Sequence, residues 1–205
     1  MPLSKDSFRQ NCFSLLKSAP SYNKTIRDAR VNKELIKTLK DIKNKNILIY
    51  HGLNFEANID KTINHLRKSC KIYSPFIEGA SFKMVPYRLP LKKGRFGIYE
   101  AGKSFKNIRK IDIVIVPVVG IDVNMQRVGF GKGMYDRFFA KLKKRPYTIF
   151  TQSKLCCTTQ KVCDSYDISC DVLITPYATL QNHMFKKIGR KNVNRRASWR
   201  RNCRN

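Results

Sequence analysis

Acidic residues are scarce in this chain. Its 205 residues hold 14 Asp and Glu against 42 Lys and Arg, a formal net charge of +28, and no acidic residue follows Asp171. Such a balance suits nucleic acid, an anionic membrane surface or a polyanionic small substrate, and charge alone does not choose among them. Long apolar runs are also missing: nothing approaches the roughly 20 residues needed to span a bilayer, so a helical membrane span is excluded. Met1-Pro-Leu-Ser-Lys5 lacks the apolar core of a secretory leader, and the expected location is the cytoplasm. The seven cysteines include no Cys-x-x-Cys pair. Cys156, Cys157, Cys163 and Cys170 lie near one another without zinc spacing and with no His among them. Reduced, packed thiols are expected rather than a disulfide scaffold.

What is present fits one globular domain. Hydrophobic residues make up 42% and aromatics 11%, and the length is enough for one sizeable core. Strand-like apolar runs, Ile47–Tyr50, Lys71–Phe76, Phe82–Met84, Ile113–Val116, Tyr147–Phe150 and Asp171–Thr175, alternate with helical spacings. The expectation is an α/β domain over residues 1–180 with a mostly parallel sheet in three layers. A first helix is expected over residues 3–17, with Ser4 as its cap and Phe8, Cys12, Leu15 and Leu16 on one face. A second is expected over Lys24–Lys43 with Ile26, Leu35, Ile36, Leu39 and Ile42 buried, and a third carries Ile59, Ile63 and Leu66. From residue 181 onward, dense positive charge and low apolar content predict a disordered tail, which holds the single Trp199.

The chemistry concentrates in Val116–Arg137. The β-branched run Ile113–Val116 leads into a loop containing Gly129, Gly131 and Gly133, and Tyr135, Phe138, Phe139 and Leu142 follow at helical spacing. Glycines allow close backbone approach, and a helix start leaves N–H groups for phosphate oxygens. Arg127 and Lys132 add positive charge, and Asp136 is placed to hold a divalent cation against phosphates. The stretch is not a Walker loop: Gln126 and Gly133 stand where Gly and Ser or Thr are required. It is not a dinucleotide fingerprint either, because Met134 occupies the place of the third small residue. A hairpin turn and helix cap, glycine-rich for conformational reasons alone, is the competing reading.

Elsewhere, Lys5 and Arg9 sit one turn apart on the first helix, either as a solvated basic face or as a pair of cations aimed at one ligand. His51 and Glu56 follow the first strand, where open α/β sheets bind ligands. Glu56 there can accept hydrogen bonds from ring N–H groups or serve only the electrostatics of a helix start.

Pro117, Asp122 and the run Arg127-x-Gly129-x-Gly131-Lys132-Gly133-x-Tyr135-Asp136-Arg137-Phe138 resemble the signature of the 5-formyltetrahydrofolate cyclo-ligase family. The resemblance covers about residues 5–176 and extends to Phe96-Gly97-Ile98-x-Glu100. The family usually has Gly-Tyr-Tyr-Asp where this chain has Gly133-Met134-Tyr135-Asp136, and Gly where Gln126 stands, a change that Asn124 is expected to absorb at positive φ. The resemblance implies the fold shared with ribose-phosphate isomerase and CoA-transferase-like proteins. It also implies ATP-dependent cyclisation of 5-formyltetrahydrofolate to 5,10-methenyltetrahydrofolate, with Mg²⁺ and release of ADP and phosphate. By the same resemblance, ATP meets Lys5, Arg9 and the run Arg127, Val128, Gly129, Phe130, Gly131, Lys132, Gly133, Met134 and Tyr135. The folate meets His51, Glu56, Phe130, Gly131, Lys132, Gly133 and Met134. Asp136 and Asp171 are implied magnesium carboxylates, and Lys132 and Arg127 the groups that carry phosphoryl transfer. A monomer is expected, with no membrane association and no requirement for nucleic acid. The competing function classes are a basic RNA-binding or ribosome-associated protein, and a folate-binding homologue without turnover.

Overall fold

The computed structural model describes residues 3–19, 21–94, 99–102, 104, 108 and 110–182. The expected tail beyond residue 182, with Trp199, and the Phe96-Gly97-Ile98 part of the resemblance lie outside the described residues. In chain order the elements are α1 (Lys5–Lys17), a short tight turn at Ser21–Asn23, α2 (Lys24–Thr38), β1 (Asn46–Leu48), α3 (Asp60–Leu66), β2 (Lys71–Glu78) and β3 (Ser81–Pro86). There follow β4 (Lys92–Lys93), β5 (Tyr99–Glu100), β6 (Ile113–Pro117), β7 (Gly120–Ile121), β8 (Arg127–Val128), α4 (Met134–Ala140), β9 (Tyr147–Thr151), β10 (Val172–Ile174) and β11 (Thr179–Gln181).

The main sheet has seven strands in the order β11-β10-β9-β6-β1-β2-β3. Strands β10, β9, β6, β1 and β2 run parallel, whereas β3 and β11 close the two edges antiparallel. Because successive strand residues face opposite ways, each apolar run divides between two layers. Ile47, Ile113, Ile115, Ile149, Val172 and Ile174 pack with Val31, Leu35 and Leu39 of the α2 region and Ile63 and Leu66 of α3. Leu48, Val114, Val116, Phe150 and Leu173 pack on the opposite face with Phe82, Met84 and Phe138 of α4. These continuous β-branched runs are what a strand covered on both faces requires. The expected three-layer α/β architecture is what forms.

Ser4 caps α1 by accepting the Ser7 N–H at 3.1 Å. Phe8, Cys12 and Leu16 then face Val119 and Val128 in a third apolar cluster. Helix α2 begins at Lys24 as expected but departs from expectation in its end and in its buried face. It stops at Thr38 rather than Lys43, and Asn44 at φ 54° turns the chain toward β1. Ile26 is 53% exposed, and Arg27, at 8%, takes the inward position instead. The expected reduced thiols need a further correction. Cys12 on α1 and Cys156 after β9 form a disulfide with Cα atoms 5.7 Å apart, across 144 residues of sequence. Local cysteine spacing carries no trace of a pair that only the fold brings together.

Candidate active site

Two short strands shape the loop after β6. Gly120 and Ile121 pair antiparallel with Val128 and Arg127, so the stretch is a tight hairpin rather than an open loop. Its tip is organised by the fully buried Asp122. The Asp122 Oδ1 accepts the N–H groups of Asn124 at 2.9 Å and Gln126 at 3.0 Å, and Oδ2 accepts that of Cys163 at 3.3 Å. Asp side chains hold turns in this way. The positive φ expected at Asn124 falls on Met125 instead, at 54°. Gln126 donates from Nε2 to the carbonyls of Asp164 at 2.7 Å and Asp167 at 3.1 Å, which ties the hairpin to a second loop.

That second loop and the hairpin enclose a cavity of about 470 Å³ lined by Lys5, Arg9, Arg127, Asp136, Asp164 and Asp167, with Gly129, Gly131 and Gly133 at its wall. Arg127 is its buried cation. Its Nε lies 3.4 Å from the Pro117 carbonyl at the end of β6, its Nη1 3.8 Å from Asp136 Oδ2, and its guanidinium 5.0 Å from the Tyr135 ring centroid. Burial lowers the Arg127 pKa, and the Asp136 charge opposes that. Burial likewise pushes the Tyr135 phenol well up, against the neighbouring Arg127 charge.

Arg127 can approach this closely because residue 129 is glycine. A Cβ there would stand 2.2 Å from Arg127 Nη1. Gly131, at φ 85°, takes a conformation that a side chain disfavours.

Arg9 donates its Nε–H to the Gly129 carbonyl at 2.8 Å, and its Nη1 also meets Asp6. Lys5 donates to Asp164 Oδ2 at 3.2 Å and to Asp167. Burial lowers the Lys5 pKa, but the hydrogen bond and charge of Asp167 outweigh it and the net shift is upward. Lys5, Arg9 and Arg127, distant in sequence, thus converge on one space.

The remaining expected residues divide. Gly133, at φ 57°, opens α4, and Lys132 is exposed between the two wall glycines. Helix α4 has only seven residues, which leaves the cations and glycines as the features suited to an anion. The Val128 side chain is fully buried in the cluster with Phe8 and Cys12, which leaves only its backbone to face the cavity. The Phe130 ring packs on Phe13 and Phe55, with centroids 5.0 and 5.4 Å away. Met134 is half-buried against the second core face, and its carbonyl accepts the Ser81 hydroxyl at 3.2 Å.

Glu56 is 9% exposed and accepts the Leu53 N–H at 2.8 Å. Burial raises its pKa to about 7 while that bond and the Arg127 and Lys24 charges pull it down. His51 lies buried with its ring stacked on Tyr87 at 5.5 Å and its Nε2 3.3 Å from Ser74 Oγ. Burial lowers its pKa.

Asp171 is a correction. It precedes β10 at the amino end of the parallel strands, where it accepts two hydrogen bonds from Arg145 at 3.0 Å and the Thr148 N–H at 2.7 Å. It is not in the cavity with Asp136. The carboxylates that are, Asp164 and Asp167, escape sequence reasoning because loop residues carry no periodicity. Their only signal is two acids three residues apart in a chain with few.

A profile of the 5-formyltetrahydrofolate cyclo-ligase family matches residues 3–176. The chain belongs to this family. A curated 5-formyltetrahydrofolate cyclo-ligase of Haemophilus influenzae is 28% identical over 102 residues, 45% of this chain and 54% of that relative. The match therefore spans about half the length of the curated cyclo-ligase. Two solved structures share the fold. The 5,10-methenyltetrahydrofolate synthetase of Aquifex aeolicus superposes with a TM-score of 0.70 at 22% identity, covering 95% of this chain and 98% of that one. The Mycoplasma pneumoniae synthetase gives 0.66 at 19% identity, with 85% and 99% covered. Cyclo-ligase membership thus extends over β1–β10 and over the helix bearing Lys5 and Arg9.

Proposed function

We propose that this chain catalyses the ATP-dependent cyclisation of 5-formyltetrahydrofolate to 5,10-methenyltetrahydrofolate. The observation that carries the proposal is the convergence of Lys5, Arg9 and Arg127 on one cavity walled by Gly129, Gly131 and Gly133, in a member of the cyclo-ligase family.

The chemistry asks for two things. A formyl oxygen leaves poorly until it carries phosphate. Once it bears the γ-phosphoryl group of ATP, nitrogen 10 attacks the formyl carbon, the carbon–oxygen bond breaks and inorganic phosphate departs with the ring closed. The protein must align the phosphoryl group with the formyl oxygen and balance charge during transfer. Arg127, Arg9, Lys5 and Lys132 supply positive charge, and the glycines admit the triphosphate close to the backbone. Glu56 takes the pterin N–H groups, and His51 lines the folate side. No side chain needs to act as a covalent nucleophile, because the substrate supplies the attacking atom.

Mg²⁺ fits the carboxylates present. Among the described residues no group of three or more His, Cys, Asp or Glu is placed to hold a metal alone. Mg²⁺, however, commonly binds through one or two carboxylates plus water and phosphate oxygens. Asp136 lines the cavity, and its 3.8 Å separation from Arg127 is too long for a direct hydrogen bond. Asp136 would hold the ion, which when bound supplies charge neutralisation at the phosphates.

The test is to add ATP, Mg²⁺ and 5-formyltetrahydrofolate and follow methenyl-folate absorbance. A rise accompanied by equal ADP and phosphate is expected. No rise, with salt-sensitive RNA retention instead, would overturn the proposal in favour of an RNA-binding role.

A further inference from the structure

A second cavity, of about 270 Å³, opens at the start of α2 and is lined by Lys17, Lys24, Arg27, Asn54, Phe55 and Ser153 among others. No acidic side chain lies among its described lining residues, whereas the first cavity has three. Arg27 is 8% exposed and its Nε has no hydrogen-bond partner among the described residues. A buried donor left without an acceptor is costly, and most such groups in folded proteins are satisfied. The helix start adds to this: Asn23 makes no side-chain cap bond, so the first N–H groups of α2 lack that partner. Lys17 holds its ammonium 5.5 Å from the Phe13 ring centroid at the same opening. Lys24 is already engaged, by Asp28 at 2.7 Å and the Glu56 carbonyl at 3.0 Å. The cavity therefore asks for an acceptor that carries negative charge.

Its position narrows the choice. Phe55 forms a wall between the two cavities. Phe55 lines the second, and its ring lies 5.4 Å from Phe130, whose neighbours Gly129 and Gly131 line the first. Ser153 fixes this wall by donating to the Phe55 carbonyl at 2.6 Å. A ligand with its ring system toward Glu56 and an acidic arm beyond Phe55 would reach Arg27.

We propose that this cavity is a carboxylate subsite that takes the glutamyl arm of the folate, with Arg27 as its principal specificity residue. The proposal rests on the folate reading of the neighbouring site, and its test needs no turnover. Calorimetric binding of 5-formyltetrahydrofolate would be compared with that of 5-formyltetrahydropteroate, which lacks the glutamyl arm, in the absence of ATP. The parent protein should bind the folate at least about tenfold more tightly, the scale of one charge-assisted hydrogen bond. Arg27→Met should lose most of that preference. Met would leave no acceptor of the Arg27 Nε unpaired among the described residues. Lys17→Ala, at an exposed position, should lose a smaller part and guards against misfolding of the first variant.

Equal binding of the two compounds by the parent, binding of neither, or an undiminished preference in a folded Arg27→Met would overturn the subsite. A parent that turns over folate without such a preference sinks the subsite alone, and one with the preference but no turnover sinks the activity alone. If inorganic phosphate matches the glutamyl arm in affinity at Arg27, the cavity is a general anion site and the proposal also fails.

Discussion

Arg9 on α1 donates to the backbone carbonyl of Gly129 at 2.8 Å, joining residues 120 positions apart. The same Gly129 carries the guanidinium of Arg127 against its α-carbon. One residue thus sets the positions of two cavity cations, one through its carbonyl and the other through its missing side chain.

Gly129→Ala should therefore act through Arg127. The added Cβ would lie 2.2 Å from Nη1, so the guanidinium must leave its place beside Asp136. Displacement of a phosphate-facing group by about 1 Å can lower turnover by roughly 10²-fold. Steady-state rates should fall on that scale while circular dichroism stays that of the parent. Parental rates would show that the place of Arg127 does not matter.

Lys132→Ala removes an exposed side chain between two wall glycines, so the fold should hold. If its ammonium neutralises charge in phosphoryl transfer, kcat should drop by about 10²-fold. Unchanged turnover would take Lys132 out of the mechanism.

Glu56 makes stability depend on pH. Burial raises its carboxyl from an ordinary 4.5 to about 7, so the folded protein keeps a proton that the unfolded chain releases. The contribution is complete below the unfolded value and is lost as pH rises through the folded one. Between about pH 5 and pH 8 the denaturant-derived stability of the parent should fall relative to Glu56→Gln by on the order of 2–3 kcal/mol. Parallel curves for the two proteins would mean that the carboxyl is ionised throughout. The variant should also bind folate more weakly.

The Cys12–Cys156 bond ties α1 to the loop after β9 over 144 residues. Chain-entropy reasoning gives a loop of this size an upper bound of roughly 5 kcal/mol. Dithiothreitol should lower the melting temperature and raise the KM for ATP, since α1 carries Lys5 and Arg9. Cys156→Ser should remove the larger part of both responses. A melting curve indifferent to reductant would count against the bond.

The sheet was legible because each strand is a run of apolar residues that must be covered on both faces, and Ile113–Val116 could hardly be anything else. The cations of the site were legible through glycine spacing and the pairing of Lys5 with Arg9. Three features were not. Strands β7 and β8 are too short for periodicity and depend on the Asp122 carboxylate. Arg27 faces inward where Ile26 reads as the buried residue, because at a helix start the local pattern does not say which side the rest of the chain will cover. Asp171 was implied by the family resemblance alone, yet the residue that leads into a parallel strand lies at the end of the sheet away from the cavity that holds Asp136. Gln126, in place of the family's usual glycine, tethers the loop of Asp164 and Asp167, a contact fixed only in three dimensions.

No strand among the described residues begins before Asn46. The strands and two of the cavity's cations, Lys5 and Arg9, therefore lie on separable stretches of polypeptide. A proteolytic nick just after Arg9 would spare every strand, and Cys12 would still anchor the shortened helix. The product would pass for the intact protein in spectroscopy while lacking Lys5 and Arg9, so intact mass is the quality check on any preparation that fails the activity test.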